Sequence, residues 1–512
     1  MKLTIHREKG RQTFSFTAPQ TLSELLRQAG VALPLPCGGQ RRCGNCRVAA
    51  FGALRPPTAE EERLLGMPAL LEGVRLACCA VAEGDCSVWV DPPREVSVQT
   101  AGKLRTAGVG PSLFGPEGYA LAVDIGTTTV AAYLVDLSRP VAEPPAASAP
   151  NAQAPWGADV ITRAGACREG EAGPLQRALL EQLEGLFREL LAREGVPMAQ
   201  IRGILLSGNT VMLHLAAGLD PTPLTAAPYQ PESLFGVQYA ARELFFGLPG
   251  ELPVYLAPCI SGFVGADLVC AALACNLQPG ELLLDAGTNG EMLLRTQEGD
   301  VCCSTATGPA FEGAGLRCGM VAAAGAIYDV RAKDGKLLCR TMGGGPARGI
   351  CGTGAVSALA ALLELGLVDE TGLLAEECGG QVELAPKVVL TQEDIRQLQL
   401  AKGAVAAGMG ALLEVCGLSA GQVSHLYIAG GFGSWIDPWA AQRIGMLPAG
   451  LAGRVEPVGN AAGLGACLMA RSQSMVDLAQ RMADRARTVE LDTQADFQDR
   501  FVEALLFPTV GF

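Results

Sequence analysis

Histidine is nearly missing from this chain: three in 512 residues, at His6, His214 and His425, none close to another in sequence. That scarcity rules out a Ser/His/Asp relay and a histidine-built metal site as organising ideas, and leaves packing as the ordinary role for all three. Aromatic residues make up only 5% and charged residues 18%. Long apolar runs are missing too. Stretches such as SGFVGADLVCAALAC are broken by Gly and Asp well short of the ~20 residues that span a bilayer. The opening MKLTIHREKG holds no apolar stretch of the signal-peptide kind. These absences predict a cytoplasmic protein with no membrane segment. Basic residues are in deficit, 39 Lys and Arg against 52 Asp and Glu, and a net charge of −13 argues against general nucleic-acid binding, which needs clustered cations.

Glycine (64 residues) and cysteine (18) are abundant, and hydrophobic residues reach 49%. A chain of this size and composition folds as two to four compact domains. So many glycines imply tight turns and places where backbone closes on a ligand. Charge is distributed unevenly. Residues 1–95 carry 12 Lys/Arg and 10 Asp/Glu, so a mildly basic module sits on an acidic body. Such a distribution either steers a partner protein or is a plain solvated surface.

In a reducing compartment cysteines are thiols or metal ligands. Most here, such as Cys270, Cys275, Cys416 and Cys467, are isolated in small or apolar surroundings and read as buried thiols. One group differs. Cys37, Cys43 and Cys46 lie in PCGGQRRCGNCRV with C-x5-C-x2-C spacing, and RLACC adds Cys78 or Cys79. An iron–sulfur cluster needs four thiolates converging from a loop that wraps it, and Gly38, Gly39 and Gly44 give that loop its freedom. A zinc site would ask for two C-x2-C knuckles, and only one is present. Cys86 reads as a strand residue. Upstream, KLTIH and TFSFT alternate as short strands. TLSELLRQAG reads as a helix, with a capping box from Thr21 to Glu24, an apolar face of Leu22, Leu25 and Leu26, and a stop at Gly30.

Residues 96–118 are rich in Gly, Ser and Thr and read as a linker. Beyond them a pattern occurs twice. LAVDIGTTTVAAYLVDL and LLLDAGTNGEMLL are each an apolar strand, an Asp–x–Gly–Thr turn and a second apolar strand, with Asp124 and Asp285 at equivalent points. Backbone amides at Gly126 and Gly287 can close on phosphate oxygens. Thr127, Thr128, Thr288 and Asn289 add side-chain donors, and the two acids suit a hydrated Mg²⁺. One such turn is weak evidence; an internal duplication is much stronger. A third element, HLYIAGGFGSWID, carries an apolar strand into Gly430, Gly431 and Gly433, a turn suited to close approach by adenosine. Residues 349–365 read as a glycine turn opening a helix. Residues 395–409 read as an amphipathic helix whose Lys402 is either a nucleotide contact or a surface lysine. The segment 174–194 is an amphipathic helix for packing on a sheet. Glu312, in GPAFEGAG, faces the nucleotide or a partner, or is a plain loop carboxylate. The C-terminal TVELDTQADFQDRFVEALLFP closes the fold as a strand and a helix.

The N-terminal pattern resembles β-grasp [2Fe–2S] ferredoxins, with spacing near the adrenodoxin type. The three later elements resemble the phosphate-1, phosphate-2 and adenosine motifs of the actin/Hsp70/sugar-kinase superfamily. Together they resemble the reductive activators of corrinoid-dependent methyltransferases, and GADVITR, GNTVMLHL, ISGFVGADL, GPAFEGAGLRCGM and VGNAAGLGA extend the likeness over nearly the whole chain. The resemblance implies an α+β and α/β multidomain fold. It places a ferredoxin domain at 1–95, a linker at 96–118 and a two-lobed, ribonuclease H-like ATPase domain at 119–512, with the lobes meeting near 275–285. Longer members carry an extra middle domain, for which the short approach to Asp124 leaves no room.

The implied cofactors are a [2Fe–2S] cluster on Cys37, Cys43, Cys46 and Cys78, with Cys79 the alternative fourth ligand, and ATP with Mg²⁺. The implied partners are a corrinoid protein and a low-potential electron donor, with a homodimer through the nucleotide domain resting on the resemblance alone. The implied activity returns an electron to inactive Co(II), giving Co(I). That step is uphill from an ordinary ferredoxin at about −400 mV, each further 100 mV costing ~2.3 kcal/mol, so ATP would drive it. A ferredoxin-fused small-molecule kinase is one alternative, but it needs a catalytic aspartate that the sequence does not single out. A nucleotide- and redox-controlled client-binding protein is another. Activators of radical dehydratases place a [4Fe–4S] cluster between subunits and lack an N-terminal ferredoxin, so the cysteine loop argues against that class.

Overall fold

The computed structural model describes residues 1–512 apart from 8, 9, 32, 34, 36, 42, 45, 91–99, 107–109, 495 and 509–512. The parts of the sequence-defined linker at 96–99 and 107–109 therefore lie outside the described residues.

The N-terminal sheet runs Gly10–Ser15, Lys2–Arg7, Val81–Trp89, Arg47–Leu54, Val74–Leu76, with Gln20–Thr21 also pairing with Val81–Trp89. Lys2–Arg7 lies parallel to Val81–Trp89, Leu3 opposite Cys86, a pairing that joins the two ends of the domain. Helix Leu22–Gln28 lies against this sheet because its Leu22, Leu25 and Leu26 stripe has no exposure and meets Leu3, Ile5 and Val88 in one core. The predicted capping box is half made. Thr21 Oγ1 accepts from the Glu24 amide at 3.3 Å, while the Glu24 carboxylate turns outward to Arg27 Nη2 at 2.8 Å.

The remainder forms two lobes with one topology used twice. The first sheet has the order Ala146–Pro150, Thr129–Asp136, Tyr119–Ile125, Ile201–Gly208, Pro253–Leu256, with Val237–Ala240 added at the edge. The second has Asp300–Ala306, Asn289–Arg295, Glu281–Ala286, His425–Ala429, Val455–Gly459, with Arg487–Thr488 added at the opposite edge. In each, three antiparallel strands are followed by two parallel ones, the ribonuclease H-like order of the actin/Hsp70/sugar-kinase superfamily. Chain passes from one to the other between helix Ala266–Cys275 and strand Glu281–Ala286.

Apolar strands buried on both faces need helices on both sides. Helix Ala172–Glu194 covers the first sheet with Leu175, Leu179, Leu183, Phe187 and Leu190. Helices Ala266–Cys275 and Ala461–Arg471 tie the lobes together. They approach so closely that a Cβ on Gly465 would stand 1.8 Å from the Cys270 carbonyl oxygen, so only glycine fits there.

Helix Gln392–Val415 is long and apolar enough by length and composition to cross a membrane, and 72% of its most apolar window is buried inside the second lobe. The sequence reading of a one-sided amphipathic helix underestimated how much of its surface is covered. Lys402 accordingly meets neither sequence-based alternative. It is fully buried, donates to the Leu506 carbonyl and lies 4.7 Å over the Phe507 ring, latching the C-terminal helix Phe497–Leu505 onto the lobe.

The described part of the linker does not hang free. Gly102 bridges Gly459, the Lys103 amide donates to the Val458 carbonyl at 3.1 Å, and the Arg105 amide donates to the Ala274 carbonyl at 3.0 Å. It is an extended strap lying across the seam between the lobes.

Candidate functional site

The two phosphate hairpins face one another across a cleft of about 230 Å³ lined from both lobes. Strands Tyr119–Ile125 and Thr129–Asp136 hold Gly126, Thr127 and Thr128 in the turn between them, and strands Glu281–Ala286 and Asn289–Arg295 hold Gly287 and Thr288. Asp124, Gly126, Thr127, Thr128, Asp285, Gly287, Thr288, Asn289, Gly430 and Gly431 all line the cleft. Gly433 does not. It sits behind the loop with Ile428 Cγ2 2.7 Å from where a Cβ would be, so its glycine serves packing, not adenosine. Gly430 has φ 85° and a Cβ there would stand 3.0 Å from Asp285 Oδ1, so the third motif closes directly on the second acid.

Several cleft residues escaped the sequence reading. Asn460 Nδ2 donates to Asp124 Oδ2 at 2.9 Å. Asn209 Nδ2 donates to Thr127 Oγ1 at 3.1 Å. Arg163, buried to 1%, donates from Nη2 to the Thr127 carbonyl at 2.6 Å. Glu312, which the sequence had singled out, accepts from Thr128 Oγ1 on one carboxylate oxygen and from Thr288 Oγ1 on the other, the latter at 2.9 Å, and so joins the two Gly–Thr turns. Asp267 and Glu291 line the cleft beside the two motif acids. An acid at the head of an apolar helix and another inside an apolar strand were signals that the sequence offered.

Electrostatics follow from this crowding. Burial first, and then the neighbouring acids, push Asp285 up to about 7 and Asp267 up to about 8. Burial raises Asp124 to about 6, with the Asn460 hydrogen bond pulling the other way. Glu291 is raised by burial and by Asp267 and Asp285. Among the described residues these acids do not converge as the direct ligands of one ion, so oxygen donors held above their ordinary range fit a hydrated divalent cation reached through its waters, whose charge would let them ionise together.

Beside the third motif, Phe432 stacks on Phe311 with centroids 4.6 Å apart, and Trp435, edge-on to Tyr328 at 5.9 Å, also lines the cleft.

The cysteine loop gathers sulfur in two pairs. Cys43 and Cys37 Sγ are 3.3 Å apart, and Cys46 and Cys78 Sγ are 3.3 Å apart. Among the described residues no three His, Cys, Asp or Glu side chains converge as a single ion would require. Two pairs fit a two-iron cluster, in which each iron takes two ligands. Gly38, Gly39 and Gly44 all have positive φ (58°, 79° and 67°), the backbone freedom that the loop needs. Cys79 is buried with its sulfur 3.8 Å from that of Cys78, and Cys86 is a buried strand residue. Behind the loop, fully buried Glu61 takes Arg75 in a two-pronged ion pair at 2.8 and 2.9 Å and accepts the Leu76 amide at 3.0 Å.

Known proteins share this arrangement. The profile described as a 2Fe-2S iron-sulfur cluster binding domain matches residues 5–83, that of the RACo middle region matches 119–279, and that of the C-terminal domain of RACo, the ASKHA domain, matches 280–512. The corrinoid activation enzyme RamQ of Eubacterium limosum is 30% identical over 417 residues, covering 76% of this chain and 70% of RamQ. The chain belongs to the RACo family.

A solved RACo-type structure, a reductive activator for corrinoid,iron-sulfur protein, superimposes with a TM-score of 0.69 at 25% identity, covering 99% of this chain and 98% of the other. The [Co(II) methylated amine-specific corrinoid protein] reductase of Methanosarcina barkeri is 27% identical over 308 residues, 54% of this chain and 56% of that one. The RACo middle region matches the first lobe, directly after the linker, and 30% of RamQ lies outside its match to this chain.

Proposed function

We propose that this RACo-family chain is an ATP-driven activator that returns one electron to the Co(II) form of a corrinoid protein, regenerating Co(I). The observation that carries the reading is the joining, in one chain, of a paired four-cysteine loop with a cleft built from two facing phosphate turns. The naming of relatives as a corrinoid activation enzyme and a corrinoid-protein reductase supports the choice of partner. When bound, the cluster supplies a one-electron couple and Mg-ATP supplies the free energy for an uphill transfer.

The residues divide accordingly. Cys37, Cys43, Cys46 and Cys78 hold the cluster, with Cys78 favoured over Cys79 by its pairing with Cys46. Asp124 and Asp285 organise Mg²⁺ and the attacking water. Gly126, Thr127, Thr128, Gly287, Thr288 and Asn289 hold phosphate, and Gly430 and Gly431 take the adenosine. Phosphates held by both turns would draw the lobes together, and a cleft between two lobes is a natural hinge for coupling nucleotide state to partner affinity. Electrons come from a low-potential donor. The reading is of a cytoplasmic protein. The kinase alternative gains a candidate base in Asp267, but gives the cysteine loop nothing to do.

The test is anaerobic. The reconstituted protein, with its reduced cluster confirmed by electron paramagnetic resonance, is mixed with a Co(II) corrinoid protein with and without Mg-ATP, and the cobalt absorption is followed. Co(I) should form only with ATP, and Asp285→Ala should abolish it while leaving the cluster signal intact. If an intact cluster and measurable ATP hydrolysis leave cobalt as Co(II), the reading fails and the kinase or client-binding function takes its place.

A further inference from the structure

The cysteine loop sits against the nucleotide domain. Gly38 lies so close to the first lobe that a Cβ on it would stand 2.7 Å from Thr162 Cγ2 and 3.0 Å from the Trp156 carbonyl oxygen. A second part of the ferredoxin domain reaches the same place. Arg27, at the end of helix Leu22–Gln28, pairs with Glu171 Oε2 at 3.2 Å and lies 5.9 Å over the Trp156 ring. Glu171 steadies that ring by accepting the Trp156 Nε1 hydrogen at 2.7 Å. Three contacts thus converge on residues 156–171.

The same segment leads to the phosphate site. Arg163 donates to the Gly157 carbonyl at 2.9 Å, to Gln153 Oε1 at 3.3 Å and to the Thr127 carbonyl at 2.6 Å. These oxygens are all neutral, while Asp159 and Glu312 face the guanidinium without bonding to it. A buried cation therefore lies directly behind the first phosphate turn, one bond from it and one bond from the segment under the cysteine loop.

We propose that residues 156–171 are a resting dock for the chain's own ferredoxin domain, and that Arg163 makes the dock responsive to nucleotide. The proposal rests on the activator reading and deepens it, since it names how the cleft would control access to the cluster loop. Phosphate held at Thr127 and Thr128 brings negative charge beside Arg163. A charge-assisted interaction with an anion outweighs a bond to a neutral carbonyl, so the guanidinium turns toward the phosphate turn and its hold on Gly157 weakens. Gly157 is packed against Thr162, where a Cβ would come within 2.6 Å of Cγ2, so the two shift together beneath Gly38. While docked, this face of the cysteine loop is covered by the first lobe. Released, it is presented to a partner protein. One part-exposed ion pair and one stacked guanidinium make a weak interface, as a reversible dock requires.

Hydrogen exchange on the full-length, cluster-loaded protein tests this, with and without a non-hydrolysable Mg-ATP analogue. The analogue should speed exchange across residues 154–171 roughly fivefold or more. Glu171→Arg should show the fast pattern without nucleotide, and the charge swap Arg27→Glu with Glu171→Arg should restore part of the slow one, since it returns the ion pair but not the acceptor for Trp156 Nε1 or the stacked guanidinium. Arg163→Lys, which keeps the charge but loses the fork, should dock normally and fail to respond. Exchange unmoved by both Glu171→Arg and the analogue would overturn the dock, and Arg163→Lys responding as the natural chain does would overturn the coupling. The outcomes separate from the function itself. Co(I) formation driven by ATP in a chain whose exchange never responds would sink the dock and spare the activator. Nucleotide-driven opening without Co(I) formation would do the reverse.

Discussion

Asn460 donates to Asp124 across 2.9 Å, so the N-cap of helix Ala461–Arg471 holds the acid of the first hairpin. That acid is one of four in the cleft whose pKa burial raises: Asp124 to about 6, Asp285 to about 7 and Asp267 to about 8, with Glu291 raised as well. Each binds its proton more tightly folded than unfolded, where an aspartate titrates near 3.9. Folding therefore takes up protons between about pH 4 and pH 8, and this contribution to stability is lost as pH rises through that window. Metal-free protein should melt at a lower temperature at pH 8 than at pH 6, and Mg²⁺ should stabilise it more at pH 8. Asn460→Ala removes the bond that favours the ionised Asp124 and should move the Mg²⁺ effect to higher pH. Thermal melts in chelator and in Mg²⁺ check this, and an Mg²⁺ effect independent of pH would count against it.

Glu312 occupies the hydroxyls that a nucleotide needs. Thr128 and Thr288 both donate to it, so phosphate must displace a carboxylate of its own charge sign. Glu312→Ala should bind an ATP analogue about tenfold more tightly, a change of about 1.4 kcal/mol, with Glu312→Gln between it and the natural chain. Titration calorimetry decides; weaker binding by Glu312→Ala would mean that the carboxylate helps to hold the nucleotide or its metal.

The division between what the sequence disclosed and what it hid follows contact range. The turns at Gly126, Thr127, Gly287 and Thr288 were legible because a hairpin turn is made within a few residues, and the duplicated Asp–x–Gly–Thr pattern marks it twice. Asn460 and Asp124 are 336 positions apart, and Thr128 and Glu312 are 184 apart, so local pattern cannot pair them. Lys402 misled because a lysine on a helix is ordinarily a surface residue, and nothing near it in sequence announces the Leu506 carbonyl and Phe507 ring that receive it. The linker was legible in composition alone. Gly and Ser content indicates freedom from regular structure, whereas the strap at 100–106 is set by strand and helix ends hundreds of residues away.

Cys78 is the fourth ligand that the resemblance implies, with Cys79 its alternative, and their geometry differs. The Cys78 sulfur is paired with Cys46 at 3.3 Å, whereas Cys79 touches Cys78 at 3.8 Å. Cys78→Ala should cost most of the bound iron and the reduced paramagnetic signal, and Cys79→Ala should keep both. Iron content per chain after anaerobic reconstitution is the check, and the opposite pattern would assign the fourth ligand to Cys79.

The ion pair behind the loop should matter more than any surface pair. Glu61 has no exposure and Arg75 only 6%, and Glu61 also accepts the amides of Thr58 and Leu76. Burial would raise the Glu61 pKa, but the Arg75 hydrogen bonds, the Leu76 and Thr58 amides and the Arg75 charge together outweigh it, and the carboxylate is held below its ordinary range. Glu61→Leu leaves a buried guanidinium unpaired, at a cost of about 3–5 kcal/mol. Removing both charges, as in Glu61→Leu with Arg75→Met, should recover part of that loss. Recovery should be incomplete, because the Thr58 and Leu76 amides still lose their acceptor. Leu76 lies two residues before Cys78, so loosening there reaches a proposed ligand. Thermal loss of the visible cluster absorbance in the full-length protein should fall in temperature most for Glu61→Leu and less for the double variant. A single variant as stable as the natural chain would show that water, not the protein interior, surrounds this pair.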